Sequence, residues 1–311
     1  MSFILSNTKL ASGCHVFAHQ AMATVFEIVI SNQDEKYARQ ASQEAFRRLD
    51  SLEQSLSRFL PTSDISRINH ARENEIIRLG PDAFACLKLC AHFYTETNGA
   101  FDITIGLLMS TWLNPDKTLR RPTDQEVMRA GEHTGMHHLI IDETAMMVQV
   151  LLTPLCVDLG ALGKGYAVDQ MAHILQEYSI ENFLIHGGAS SVLGYGRYGL
   201  ESGWPLTLSR PWLERDVLEK IMLSDRSISG SGLQKGRHII NPRTARPVEG
   251  QIAAWAFAPD AASTDALSTA FMIMTGDEIQ ALCRKWNRVG ALVLSTDQGV
   301  ERLKRFGASS E

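Results

Sequence analysis

The sequence predicts an α+β fold, with mixed sheets and packed helices. Strand-like and helix-like segments follow one another without regular βαβ alternation, which leaves no simple parallel sheet to build. Hydrophobic spacings of three and four mark several amphipathic helices, and β-branched or aromatic runs mark strands between them. No internal repeat, low-complexity tract or linker divides the 311 residues. One domain over residues 1–311 is therefore expected, with residues 1–20 as an extended N-terminal arm.

The run ATVFEIVI at 23–30 reads as a strand, and Ser31-Asn32-Gln33-Asp34 then offers helix-start residues. Between 36 and 60, Ala38, Ala41, Ala45, Leu49, Leu52 and Leu56 recur on one face, giving a long helix with a charged outer side. A second helix is expected over 81–98, with Pro81 in its first turn and Gly99 at its end. Strands follow at 139–142 and 147–152, then the glycine-punctuated segment 158–165 and a helix at 166–177. Further strands are read at 183–185, 205–209, 252–257 and 291–295, and helices at 265–274 and 278–286.

Composition excludes several classes. Hydrophobic residues make up 44% and charged residues 21%, the balance of an ordinary globular chain. A net charge of −5 supplies no basic field for nucleic acid or anionic lipid. The longest mostly apolar stretch, 146–162, is broken by Gln149, Thr153, Pro154 and Asp158, so no integral membrane segment is expected. Cys14, Cys86, Cys90, Cys156 and Cys283 lack paired spacing and read as thiols of a reducing compartment. Leu10-Ala11-Ser12-Gly13-Cys14 looks like a lipoprotein cleavage site. The residues before it lack the basic start and long apolar run of an export signal, so a cytoplasmic location is the expectation.

Two glycine motifs mislead. Gly194-Tyr195-Gly196-Arg197-Tyr198-Gly199 matches G-x-G-x-x-G, yet Leu200-Glu201-Ser202-Gly203-Trp204-Pro205 after it cannot open a sound helix. A hairpin turn is expected there. The GALGKG run at 160–165 lacks the four-residue gap and the Ser or Thr of a phosphate loop. His186-Gly187-Gly188 resembles an oxyanion segment, but no nucleophile elbow exists for it to serve.

Four segments combine polar groups with glycine freedom or a turn. They are Gly99-Ala100-Phe101-Asp102, the DLGALGKG run at 158–165, His238-Ile239-Ile240-Asn241-Pro242, and the STDALSTA run at 263–270. Asp158 and Lys164 bring opposite charges to one short segment, where three glycines let backbone approach a ligand. Asp265 and Thr269 lie four apart and share a helix face. A carboxylate and a hydroxyl are hard oxygen ligands suited to Mg²⁺, with water and phosphate completing the octahedron. A structural role is open for each residue. Asp265 could cap a helix, Thr269 could bond back to its own helix, and Asp102 could cap a turn. His238 could be a structural histidine and Lys164 a solvated charge. The residues alone reach as far as a phosphate and metal site.

Taken in order, these segments resemble the FAD:protein FMN transferase (ApbE-like) family. Six blocks carry the likeness. The first three are Met22-Ala23-Thr24, Leu56-Ser57-Arg58-Phe59 with the run at 63–69, and GAFDITIG at 99–106. The others are DLGALGKGYAVD at 158–169, HIINPRTARPV at 238–248 and DALST at 265–269. The resemblance implies two interlocked lobes around an FAD cleft, and a catalytic domain spanning the chain. It implies FAD contacts from Met22, Phe59, Ala100, Phe101, Asp102, Asp158, Lys164, His238 and Ile239. Mg²⁺ would be held by the Ala161 carbonyl, Asp265 and Thr269. The implied reaction is attack by a threonine hydroxyl of an acceptor flavoprotein on the FMN-side phosphorus of FAD, releasing AMP. His238 or Asp158 would take the proton. Ala23, Ala189, Asn241 and Ala245 stand where the family usually carries Gly, Asp, Asp and Gly. With water as acceptor, the same site would be an FAD pyrophosphatase; without turnover, it would be an FAD-binding protein.

Overall fold

The computed structural model describes residues 4–5, 13–116 and 118–307. Strand β1 (Ile4–Leu5) is followed by the hairpin of β2 (Cys14–Ala21) and β3 (Thr24–Ser31). Asp34 caps α1 (Glu35–Leu56) by accepting the Tyr37 N–H, and the alanine and leucine stripe expected there is buried. Helix α2 (Asp64–Asn69), β4 (Ile76–Arg78) and α3 (Pro81–Glu96) come next. Helices α4 (Gly106–Trp112) and α5 (Asp124–Glu132) lead to β5 (Leu139–Asp142) and β6 (Met147–Val150). Then come α6 (Gly163–Glu177), β7 (Phe183–Gly187), β8 (Ser191–Tyr195), β9 (Trp204–Arg210), β10 (Leu213–Leu223) and β11 (Arg226–Gly232). The short pair β12 (Ile240–Asn241) and β13 (Arg246–Pro247) precedes β14 (Gln251–Ala258). Helices α7 (Ala261–Phe271) and α8 (Gly276–Lys285), then β15 (Gly290–Asp297) and β16 (Val300–Gly307), complete the order.

An eight-stranded antiparallel sheet, in the order β16-β15-β14-β11-β8-β7-β3-β2, forms the middle layer. Helices cover one face. There Ile28, Ile185, Ala254 and Ala256 pack with Leu49 of α1, Met171 of α6 and Phe271 of α7. The small sheet β1-β9-β10 covers the other face. There Val29, Leu184, Val192 and Trp255 pack with Trp204, Leu206 and Ile221. Successive strand residues point to opposite faces, so Ile28 and Val29, or Leu184 and Ile185, serve different cores. Burial on both faces is why these strands are continuously apolar rather than alternating. Each fully buried aliphatic side chain is worth about 1.5–3 kcal/mol relative to exposure. A third sheet, β4-β6-β5, adds Ile77, Leu139, Val148 and Val150 to the helix-side core.

Several expectations change. Residues 14–21 are the edge strand of the large sheet rather than part of an arm, and residues 1–3 and 6–12 lie outside the described residues. Helix α1 stops at Leu56 because Ser57 turns extended. Gly194 and Tyr195 end β8, and the turn after them leaves the large sheet for the small one. The neighbours of β8 are β7 and β11, whereas β9 pairs with β1 and β10, so this is a crossover and not a hairpin. Helix α7 begins at Ala261, capped by Asp260 through the Ser263 N–H at 2.7 Å. Asp265 is therefore inside the helix and does not cap it. No helix among the described residues is long and apolar enough to cross a membrane.

Candidate functional site

Hydrogen bonds between distant segments bring the polar blocks together. Asn69, at the end of α2, exchanges two bonds with Val157, at 2.6 and 2.9 Å. The next residue, Asp158, donates its N–H to the Ile103 carbonyl at 2.7 Å, laying the DLGALGKG run against the GAFDITIG block. Arg243, between β12 and β13, donates to the carbonyls of Thr97 and Asn98 at the end of α3. Gly165, in the first turn of α6, donates to Asp265 Oδ2 of α7 at 3.0 Å. These helices touch so closely that a Cβ on Gly165 would lie 2.1 Å from the Ala261 carbonyl oxygen. Only glycine fits there.

The centre of this assembly is Asp265, whose side chain is 6% exposed. Its Oδ1 accepts the Ser191 hydroxyl at 3.0 Å, and its Oδ2 accepts Gly165 N–H and, at 3.3 Å, Lys164 Nζ. Lys164 also donates to the Gly160 carbonyl at 2.9 Å, so it is a partner of the site and not a solvated charge. Thr269 Oγ1 lies 3.0 Å from Ser231 Oγ and only 3.5 Å from the Asp265 carbonyl, a weak back bond. Leu162 gives α6 no side-chain cap of its own, and the Gly165 N–H in its first turn is taken by the Asp265 carboxylate instead.

Asp158 accepts Gly160 N–H at 2.8 Å on Oδ1, and Arg58 Nε stands 3.3 Å from Oδ2. The Arg58 guanidinium also lies 4.6 Å above the Phe59 ring. That ring is 78% exposed, an open aromatic face beside the charged centre. His238 is half-buried, and its Nδ1 lies 2.9 Å from the Gly236 carbonyl. A carbonyl only accepts, so Nδ1 carries the proton and Nε2 is the basic nitrogen of the neutral ring.

Other predicted residues serve differently. Ala100 and Phe101 are buried in the main core, Phe101 edge-on to Phe93, so any ligand contact there belongs to backbone. Asp102 caps its own turn through Thr104 N and Oγ1, at 2.8 and 2.6 Å, while burial pushes its carboxyl up to about 6. Met22 sits on the β2–β3 turn and donates to Glu53 Oε1 at 2.8 Å; Ile239 is core. A cavity of about 330 Å³ between α2 and β4, lined by Pro61, Arg67, His70 and Glu75, contains none of the predicted site residues. Ser191, Ser231 and Arg243 were not anticipated as site residues. The alternation of Ser227, Ser229 and Ser231 was the legible signal for one of them.

The donor chemistry fits Mg²⁺. Among the described residues, no cluster of three or more His, Cys, Asp or Glu could hold a metal ion. Mg²⁺ does not require one: it takes one or two carboxylates and leaves its other positions to water and substrate phosphate. The Asp265 carboxylate and the Thr269 hydroxyl are donors of the kind that mode uses.

The fold is thus an antiparallel sheet between two covers, and the site a buried carboxylate beside a lysine and a glycine-lined turn. A sequence profile described as "ApbE family" matches residues 22–293. An FAD:protein FMN transferase of Vibrio cholerae is 28% identical, covering 98% of this chain and 96% of its own. One from Salmonella typhimurium is 27% identical, covering 94% and 87%. The crystal structure of the ApbE protein from Thermotoga maritima superposes with a TM-score of 0.82 at 25% identity, covering 94% of this chain and 97% of that one. The chain belongs to the ApbE family. It is an ApbE-like flavin transferase.

Proposed function

We propose that this protein transfers the FMN moiety of FAD to a threonine hydroxyl of an acceptor flavoprotein, releasing AMP, in a Mg²⁺-dependent reaction. The observation that carries the reading is the convergence of Lys164 and the Gly165 N–H, in the first turn of α6, on Asp265. Phosphoryl transfer depends mainly on charge neutralisation and in-line positioning; Lys164 offers a positive charge to a pyrophosphate, and Asp265 offers a carboxylate to a cation. Asp265, Thr269 and the Ala161 carbonyl would hold Mg²⁺, which neutralises phosphate oxygens as charge develops on the leaving group.

The residues of the chain divide the remaining work. Lys164 turns between Asp265 and the substrate phosphates, and Arg58 and Phe59 present a cationic and aromatic surface to a planar ring. His238 Nε2 takes the threonine proton. Asp158, which accepts the Gly160 N–H and pairs with Arg58, is the alternative base. Cys14, Cys86, Cys90, Cys156 and Cys283 are all unpaired, which supports a reducing compartment for the reaction.

The test is incubation of purified protein with FAD, Mg²⁺ and a candidate acceptor. Flavin fluorescence on the acceptor in a denaturing gel, with AMP released, is the expected result. AMP without labelled acceptor would redirect the reading to FAD hydrolysis, and intact FAD would reduce it to binding. Asp265→Ala is expected to abolish Mg²⁺-dependent turnover while circular dichroism stays native. Full activity in that variant would remove Asp265 from the site.

A further inference from the structure

The seam between α7 and the large sheet is polar where apolar packing is the norm. Ser227, Ser229 and Ser231 alternate along β11 and present their hydroxyls to one face. Thr264 Oγ1 lies 2.9 and 2.8 Å from the first two, and Ser231 Oγ is 3.0 Å from both Ser268 and Thr269. Ser191 of β8, fully buried, reaches Asp265 Oδ1 at 3.0 Å. Besides Leu267 and Phe271, the buried side of α7 carries small residues, Ala261, Ala262, Ala266 and Ala270. Small residues make shallow ridges, which fix helix rotation poorly, whereas hydrogen bonds are directional.

We propose that Ser191 and Ser231 are positioning residues for the Asp265–Thr269 pair, setting its affinity for a divalent cation without touching the cation. This rests on the metal reading above. Ser191 on Oδ1 and Gly165 N–H on Oδ2 fix the plane of the Asp265 carboxylate from opposite ends. A carboxylate offers about four lone-pair sites, so with Lys164 as third donor one direction is left for a cation. Ser231 acts through proton order. Ser268 donates to the Asp265 carbonyl at 3.0 Å, which leaves Ser231 to donate to Ser268 and Thr269 to donate to Ser231. With its proton committed toward β11, Thr269 presents only lone pairs to the open side. Without Ser231, its hydroxyl is free to turn back to the Asp265 carbonyl.

The experiment titrates the full-length protein with Mn²⁺ alone, read by electron paramagnetic resonance, with Mg²⁺ as competitor. Ser191→Ala and Ser231→Ala should each weaken Mn²⁺ binding by about 10-fold or more, as loss of groups orienting metal ligands does elsewhere. Ser231→Thr, which keeps the hydroxyl, should bind like wild type. Urea midpoints measured alongside separate lost affinity from lost fold, and if Ser191→Ala does not fold, Ser231→Ala decides. Wild-type binding with both alanine variants within twofold of it would overturn the inference. A wild type that binds no Mn²⁺ would overturn the metal reading itself, and this inference with it.

Discussion

Ala23 and Ala245 show what single residues decide here. The turn between β2 and β3 holds Met22 at φ 49° and Ala23 at φ 57°, the paired left-handed geometry that a two-residue hairpin loop needs. Ala245 has φ 55°, so the turn between β12 and β13 makes the same demand. An alanine in this region carries a strain of about 1–2 kcal/mol that glycine avoids. Ala23 is exposed and contributes little packing. Ala23→Gly should therefore stabilise the fold by about 0.5–1 kcal/mol, after the extra unfolded-state entropy of glycine, as read by urea denaturation. Ala245→Gly should gain less, because Ala245 packs beside Leu108 and Ile240. Asn241, in place of the usual Asp, keeps the turn by accepting Arg243 N–H at 2.9 Å.

Elements transmit such details to the site. Asp169, on α6, accepts the N–H groups of Ala261 and Ala262 at 2.7 and 2.8 Å and so anchors the start of α7. Asp169→Ala should cost about 1–2 kcal/mol in urea denaturation, the value of a lost helix cap. If Asp265 holds Mg²⁺ as proposed, the variant should also need more Mg²⁺ for half-maximal turnover, because Asp265 lies on the helix so released. Strand β7 carries a different constraint. Burial within the sheet pushes His186 down to about 4, so the folded state keeps the ring neutral where the unfolded chain protonates it. The unfolded state then binds more protons below the ordinary histidine range, and stability falls as pH drops from about 6.5 to 4. The full loss is about 3 kcal/mol at 1.36 kcal/mol per pH unit. His186→Gln should lack it, so the stability difference between variant and wild type should move by that amount in the variant's favour between pH 7 and pH 4.

For the whole molecule, Arg243 matters most among residues outside the reacting centre. It joins the turn after β12 to the end of α3 and, at 2.8 Å, to Glu278, which also completes the capping box of α8. One guanidinium thus ties together the turn after β12, the end of α3 and the start of α8. Arg243→Ala should cost about 2–3 kcal/mol in urea denaturation, since it leaves helix-end carbonyls and a carboxylate without their charged donor. The same variant should raise KM for FAD more than it lowers kcat, because it loosens binding walls and leaves the acid–base groups in place.

The helices α1, α3 and α6 and the strands β3, β7 and β14 were legible because their burial is periodic or continuous along the chain. The six blocks were legible as well, and with them the family. The short helices α2, α4 and α5 were not, having six to nine residues and little periodicity to display. Nor were the edge strands β2 and β16, whose exposed faces carry polar residues. Sequence by itself determined which residue types were available: a carboxylate and a hydroxyl four apart, a lysine among glycines, and a histidine before an apolar strand. Tertiary structure alone decided that Asp265 meets Lys164 and Ser191. It alone aimed Ser191 and Ser231 at Asp265 and Thr269. Those outcomes depend on contacts between residues 37 to 101 positions apart, and local pattern carries no information about such pairings.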